Sequence, residues 1–276
     1  MAGKPKLTDA AKPATFEVEA YNERGEMVPT AVAGEHPLTL YLDKREIVTL
    51  MTLGHAPEAL AIGYLRNQRL ADSIDDITAV QVDWETESVA ITTHSKKPLP
   101  SLDKKTVTTG CGQGTVFGDL MEEIDTIVLR SDVRLNDADL FVLLEKVRRH
   151  ETIYKQAGAV HGCALATTAG EILMFVEDVG RHNAVDAIAG FMWLDGIDGS
   201  DKVFYTTGRL TSEMVIKCAQ MRIPFLVSRS GLTQMGHAIA RRVGITMLGR
   251  ASGRHYLAFT GRERLVRTTP QPSALA

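Results

Sequence analysis

The stretch Ile172-Leu173-Met174-Phe175-Val176-Glu177-Asp178-Val179-Gly180-Arg181-His182-Asn183-Ala184-Val185-Asp186 decides the fold class of this chain. Five apolar residues of strand length run into a polar cluster. Beyond it Ala184, Val185, Ile188, Ala189, Phe191, Met192 and Leu194 recur at helical spacing. The cluster therefore caps a strand's carboxyl end, where open α/β sheets bind ligands and the first free N–H groups of a helix attract anions. A purely structural reading is also open: Asn183 as an N-cap, Asp178 bonding the turn, Arg181 and Asp186 solvated.

Working outward, the pattern repeats. Val203-Phe204-Tyr205 reads as a strand, Thr206-Thr207-Gly208-Arg209-Leu210 as a turn, and Thr211-Ser212-Glu213 opens a helix that runs to Met221. Thr211 or Ser212 can accept from an orphan helix N–H, and Glu213 complements the positive end of the helix dipole. Next come a strand at Ile223-Pro224-Phe225-Leu226-Val227, a turn at Ser228-Arg229-Ser230-Gly231-Leu232-Thr233, a helix from Met235 to Val243 and a strand at Ile245 to Leu248. Three such units in series imply right-handed crossovers and a mostly parallel sheet. Their turns should share one rim, presenting Arg181, His182, Gly208, Arg209, Ser228, Arg229, Ser230 and Gly231 together. Backbone N–H groups, hydroxyls and guanidinium forks in that arrangement suit a phosphorylated ligand.

Nearer the N-terminus the pattern changes. Thr15 to Ala20, Leu38 to Leu42 and Glu46 to Leu50 read as strands, and Ile77 to Val82 and Ser88 to Thr92 alternate around a turn at Trp84-Glu85-Thr86-Glu87. A helix with Pro57 in its first turn, through Ala61, Ile62, Tyr64 and Leu65, should cover that sheet. The helix from Asp137 to His150, with Leu140, Phe141, Leu144 and Val147 on one face, should begin a second domain. The expected organisation is a disordered N-terminus at 1–14, a smaller α+β domain at 15–105, a glycine-rich connection at 106–130, a mostly parallel-sheet α/β domain at 131–266 and a disordered tail at 267–276. A short helix is expected from Leu120 to Ile124.

Composition bounds the function. The 276 residues with 44% hydrophobic content can build a sizeable core, which excludes a disordered or fibrous chain. A net charge of −3 with interspersed signs argues against nucleic-acid binding. No apolar stretch approaches the roughly 20 residues of a membrane helix, and the first residues lack a signal peptide's apolar middle. A cytoplasmic protein is expected. The three cysteines make neither a disulfide framework nor a zinc site. Cys163, in Ala159 to Leu165, and Cys218, between Ile216 and Ala219, read as small core residues. Cys111 stands apart, because Thr108-Thr109-Gly110-Cys111-Gly112-Gln113-Gly114-Thr115 is too polar and glycine-rich for a core. A cysteine reacts through its thiolate, whose pKa of about 8.5 falls near cations or helix N-termini; Lys104 and Lys105 precede it. The alternative is an incidental surface cysteine on a linker.

Taken as a set, Gly110-Cys111-Gly112-x-Gly114, Val160-His161, the run Glu177 to Asp186, Thr207 to Val215 and Val227-Ser228-Arg229-Ser230 resemble the formate dehydrogenase accessory sulfurtransferases of the FdhD family, in consistent order from about Glu17 to Leu265. The resemblance implies a cytidine-deaminase-like C-terminal domain and a homodimer. It also implies that sulfur is accepted from a cysteine desulfurase as a persulfide on Cys111. That sulfur would pass to a bis-guanylyl molybdopterin cofactor before the cofactor enters formate dehydrogenase, with no permanently bound metal. By position, Phe225, Leu226, Val227, Ser228, Arg229 and Ser230 match the segment that holds the molybdenum cofactor. Asp178, Arg181, His182, Gly208 and Arg209 join them on the expected rim. His161 is either a proton donor or a satisfied strand-end histidine. One departure is visible, since many members carry a second cysteine three places after the first, where this chain has Gly114. Two other functions stay open: a cofactor-binding chaperone without covalent sulfur transfer, and a cysteine hydrolase pairing Cys111 with His161 or His182, which needs nucleophile and base within about 3 Å.

Overall fold

Alternating apolar residues between Thr15 and Thr93 make the five strands that the sequence predicts there and one more, and their pairing builds the first of two units. The computed structural model describes residues 4–96, 106–107, 114–115, 124–150 and 152–268. One unit comprises Met1–Met121, Glu151–Cys163 and Val176–Ile197; the other comprises Glu122–His150, Ala164–Phe175 and Asp198–Ala276. Among the described residues the helices are α1 (Pro57–Asn67), α2 (Asp137–Arg149), α3 (Ile153–Ala157), α4 (Arg181–Leu194), α5 (Ser212–Gln220) and α6 (Gln234–Val243). None is long and apolar enough to cross a membrane.

The first unit contains β1 (Lys6–Leu7), β2 (Thr15–Tyr21), β3 (Met27–Ala33), β4 (His36–Leu42), β5 (Arg45–Thr52), β6 (Ile77–Asp83), β7 (Ser88–Thr93), β8 (Thr106–Val107) and β9 (Gly114–Thr115). Five strands form one sheet in the order β1-β6-β7-β4-β5. Period-two alternation turns Leu38, Leu40, Leu42, Val80, Val82, Val89 and Ile91 inward, and α1 packs on β6 and β7. Among the described residues, strands β2 and β3 pair with each other alone, as a separate antiparallel ribbon; the sequence reading did not anticipate β3. Strands β8 and β9 also pair, with Val107 opposite Gly114. Residues 108–113, including Cys111, separate them in sequence and lie outside the described residues, as does the helix expected from Leu120, except for Ile124, which opens a 3₁₀ turn.

Three expectations about organisation are corrected. From residue 4 onward, the N-terminus is held rather than frayed. Lys6 and Leu7 add a parallel edge to β6, Thr8 Oγ1 donates to the Val80 carbonyl at 3.3 Å, and the Ala10 N–H donates to Glu58 at 2.9 Å. Backbone groups satisfied in this way explain the order. At the other end, the Thr268 N–H donates to Asp137 at 2.9 Å, so the chain is tied down past residue 267. Nor does the domain boundary fall at 105–130, because α3 and α4 belong with the first unit. The cause is two glycines. A Cβ on Gly63 would stand 1.6 Å from the Asp186 carbonyl oxygen, and one on Gly190 would stand 1.9 Å from that of Ala59, so α1 and α4 touch backbone to backbone. Asn67 donates to Asp186 at 2.7 Å, and Arg66 donates to the Ala189 carbonyl at 2.9 Å while lying over Trp193.

The second unit is the α/β part. Its strands are β10 (Leu135–Asn136), β11 (His161–Thr167), β12 (Ile172–Asp178), β13 (Lys202–Thr206), β14 (Phe225–Ser228), β15 (Thr246–Ser252), β16 (His255–Ala258) and β17 (Leu265–Val266), with the unit boundary cutting β11 after Cys163 and β12 after Phe175. Six of them form a sheet in the order β12-β11-β13-β14-β15-β16. Strands β13, β14 and β15 are parallel and β16 is antiparallel, giving the mixed α/β class that the sequence predicts. The three units do not lie in simple series, however. Strand β11 turns back into β12 through a tight turn closed by the Thr167 N–H on the Glu171 carbonyl at 2.9 Å, and so separates β12 from β13. Leu140, Leu143, Leu144 and Val147 of α2 pack on Ala164, Ala166, Tyr205, Phe225, Val227 and Leu248, close to the face predicted for that helix.

Candidate functional site

The two polar turns that look alike in sequence are built differently. At the first, α4 starts at Arg181 with Gly180 at the N-cap, which displaces Asn183 from the capping position expected of it. Asp178 is buried and accepts four hydrogen bonds: Thr52 Oγ1 at 2.5 Å and the Leu53 N–H at 3.0 Å on one oxygen, and the Gly180 N–H at 2.9 Å and Asn183 Nδ2 at 2.8 Å on the other. Asn183 also donates to the Met51 carbonyl at 2.7 Å. The end of β5 is thus tied to the end of β12. Burial pushes the Asp178 carboxyl above its ordinary range, against the pull of those four donors. With two bonds on each oxygen, its acceptor capacity is full. Glu177 likewise turns inward, its carboxylate accepting the Ile153 and Tyr154 N–H groups at 2.7 and 3.1 Å, at the start of α3. Arg181, His182 and Asp186 are all buried, so Arg181 and Asp186 are not the solvated pair of the structural alternative, and Arg181 and His182 do not stand on an open rim.

The second place is the pair of turns that follow β13 and β14. Because Thr206 is in register with Ser228, the two turns run side by side. Ser228 Oγ donates to the Gly208 carbonyl at 2.6 Å and accepts the Ser230 N–H at 2.9 Å. Thr206 Oγ1 accepts the Gly208 N–H at 3.0 Å, while its carbonyl accepts the Arg229 N–H at 3.2 Å. Farther along, the Leu210 N–H donates to Gly231 at 3.0 Å and the Thr233 N–H to Leu210 at 3.1 Å. Close approach continues at Gly236, where a Cβ would stand 2.6 Å from the Leu210 carbonyl oxygen. This braced double turn leads into α5 and α6, and it leaves Arg209 and Arg229 exposed with Ser230 half-buried between strand and solvent. Fixed peptide groups, two helix starts and two guanidinium groups make a surface suited to phosphate oxygens.

The sequence-predicted site is therefore divided. Gly208, Arg209, Ser228, Arg229 and Ser230 come together in the second unit; Asp178, Arg181 and His182 belong to the first. Phe225, Leu226 and Val227 are wholly buried in β14, where they place the turn that carries Arg229 and Ser230. His161 is half-buried at the start of β11, and Cys111 lies outside the described residues. Sequence reasoning missed three features here. Thr206, buried, is the brace of the double turn. Thr211, one of the two capping candidates with Ser212, stands at the N-cap of α5, but its buried hydroxyl bonds no described residue. Glu213 and Lys217 form a buried ion pair at 3.4 Å inside α5; the flanking Met214, Val215, Ile216, Cys218 and Ala219 were the available signal, since a helix apolar on all sides is buried on all sides.

Known proteins resemble this chain over most of its length. A family model described as the FdhD/NarQ family matches residues 33–266. Similar proteins named sulfur carrier protein FdhD occur in Sulfurisphaera tokodaii, 30% identical over 89% of this chain and 95% of the relative, in Wolinella succinogenes, 30% identical over 83% and 80%, and in Listeria innocua, 28% identical over 91% and 95%. A solved structure named as a formate dehydrogenase accessory protein, from Desulfotalea psychrophila, superposes with a TM-score of 0.75 at 26% identity, covering 92% of this chain and all of that one.

Proposed function

Because the chain belongs to the FdhD/NarQ family, we propose that it is a sulfur carrier in formate dehydrogenase maturation, with Cys111 as the carrier thiol and the double turn after β13 and β14 as the place where the guanylyl-pterin molybdenum cofactor is held as substrate. One observation carries the assignment within this chain: Cys163 and Cys218 are both completely buried, which leaves Cys111 to do any thiol chemistry. In the loading step the Cys111 thiolate attacks the outer sulfur of a cysteine desulfurase persulfide. A new S–S bond forms as the donor's breaks, and the donor cysteine leaves as a thiolate, so the step involves no net oxidation. Delivery would break that S–S bond with Cys111 leaving as the thiolate, the terminal sulfur being taken by an electron-rich centre of the bound cofactor that supplies the bonding pair; Arg209, Arg229 and the peptide N–H groups of the double turn would hold the cofactor's pyrophosphates. In this reading the second unit is the cytidine-deaminase-like domain, and the protein works as a cytoplasmic homodimer.

The test is intact mass after incubation with a cysteine desulfurase and free cysteine, with and without reductant. Wild type should gain one reductant-labile sulfur and Cys111→Ala none. A single thiol then suffices, consistent with Gly114 standing where many members of the family have a second cysteine. If wild type gains nothing while still binding guanine nucleotide, the protein is a cofactor-binding chaperone instead.

A further inference from the structure

The carboxyl ends of β13, β14 and β15 carry one arginine each. Val227 pairs with Leu248, and two residues beyond that couple stand Arg229 on one strand's turn and Arg250 on the other strand. Arg209 stands three residues beyond Thr206, which pairs with Ser228. Neighbouring strands run about 4.8 Å apart, so the three positions follow adjacent tracks to one end of the sheet, where open α/β sheets bind ligands. Arg209 and Arg229 belong to the braced double turn described above; Arg250 figured in no expectation from the sequence.

An exposed arginine is ordinarily a solvated side chain and nothing more. Three observations set Arg250 apart. Its backbone has φ of +53°, in the left-handed region that a residue with a Cβ enters only under constraint. It lies in a bulge: Arg250 and Ala251 fill the span between Gly249 and Ser252 that faces Tyr256 alone on β16, and bulges re-aim side chains. Its N–H donates to the Ser230 carbonyl at 2.9 Å, which ties the bulge to the turn that carries Arg229. Arg209 and Arg250 are both exposed, and neither pairs with a carboxylate among the described residues.

An aromatic ring adjoins the same bulge. A Cβ on Gly249 would stand 2.9 Å from Phe259 Cε2, 3.4 Å from the Ser230 carbonyl oxygen and 3.5 Å from Leu232 Cδ2, so the ring edge meets the double turn over Gly249. Phe259 is 36% exposed, and Met235 at the start of α6 and Leu257 on β16 are exposed beside it in sequence and sheet. A ligand of phosphates alone would leave this ring in water, and a purely apolar one would leave the guanidinium groups unpaired. A nucleoside diphosphate joins the two requirements, because its oxygens suit guanidinium forks and its flat base suits an aromatic face.

We infer that Arg250 and Phe259 complete the ligand site: a nucleoside diphosphate lies across the ends of β13, β14 and β15, its phosphates on Arg209, Arg229 and Arg250 and its base stacked on Phe259. The inference rests on reading the double turn as the surface that holds the cofactor, and it assigns the residues that take the cofactor's nucleotide end. The test is isothermal titration of the full-length protein with two probes, guanosine diphosphate and inorganic pyrophosphate, with thermal melts alongside. Arg250→Gly keeps the backbone conformation without steric cost. It should melt with wild type and bind both probes about tenfold more weakly. Phe259→Leu keeps an apolar side chain over Gly249; it should lose at least fivefold in affinity for guanosine diphosphate and bind pyrophosphate as wild type does. Unchanged affinity for guanosine diphosphate in either variant, while Arg209→Ala still weakens it, overturns the inference and leaves the double turn as the phosphate surface. Equal losses for both probes in Phe259→Leu overturn it too, because the ring then acts on the fold of the turn and stacks on no base. If wild type binds neither probe, the reading of the double turn falls and takes the inference with it.

Discussion

The turn after β12 and the paired turns after β13 and β14 have the same sequence grammar of strand, polar cluster and helix, yet one is sealed and the other open. At the first, every polar group of Asp178 and Glu177 that could meet a ligand is spent on the chain's own N–H and O–H groups. At the second, backbone and hydroxyls brace one another while Arg209 and Arg229 remain outside. Polar density at a strand's end therefore identifies a join under demand, and only burial tells whether the demand is mechanical or chemical. If that distinction is right, changes at the first place should cost stability and spare ligand binding, and changes at the second should do the reverse.

The largest effect is expected beneath the sealed turn. Gly63→Ala and Gly190→Ala each force a Cβ against a carbonyl oxygen across the α1–α4 crossing, and both atoms are backbone, so relief requires the helices to separate. Each substitution should cost more than about 4 kcal/mol, at the diagnostic end of single-residue effects. Denaturant titration checks this, and a loss under about 1 kcal/mol would mean that the helices do not cross as described.

Asp178→Asn comes next. The amide replaces two acceptor positions with donors that face donors, and about 3 kcal/mol should be lost. The pH dependence has a definite sign. Because burial raises the carboxyl above its unfolded value, the folded protein binds this proton more tightly, and the stability linked to it is present below the ordinary carboxylate range and is lost as pH rises through the raised value. Wild type should show that decline relative to Asp178→Asn in denaturation series at successive pH values, while guanine nucleotide affinity should be the same in both proteins.

At the open turn the expectation inverts. Arg209→Ala and Arg229→Ala should each shift stability by no more than about 0.5 kcal/mol. Each should weaken binding of guanosine diphosphate about tenfold, the effect of losing one charge-assisted bond. Isothermal titration alongside thermal melts reads both. A stability loss with unchanged affinity would place these arginines with Asp178 on the mechanical side.

Much of this was legible in the chain. The strands β2, β4 to β7 and β12 to β15, with helices α1, α2, α5 and α6, follow from alternation, periodicity and turn residues that act locally. What the sequence hid depends on contacts distant along the chain. Gly63 and Gly190 look like weak points within helices until their backbones are seen to touch. Asp178 looks like a ligand residue because its strongest partner, Thr52, lies on another strand. Arg181, His182 and Asp186 were read as accessible because charge usually implies solvent, and the helix that covers Asp186 is more than a hundred residues earlier. The apolar spacing of α5 carries the burial of Lys217, which pairs with Glu213 one turn earlier.

Thr211 is the finest test of the comparison, because it is a polar residue at the open turn that behaves like neither class. Its position at the N-cap of α5 calls for a capping bond, and among the described residues its buried hydroxyl makes none. A buried hydroxyl without a partner is a cost, so the isosteric Thr211→Val should leave stability unchanged or raise it by up to about 1 kcal/mol, whereas removing a working cap would lower it by about that much. Thr211→Ser keeps the hydroxyl with greater rotational freedom and separates the loss of a bond from the loss of a methyl group. A melt in which Thr211→Val is clearly less stable and Thr211→Ser is not would show that the hydroxyl caps the helix in solution, moving Thr211 to the mechanical side with Asp178.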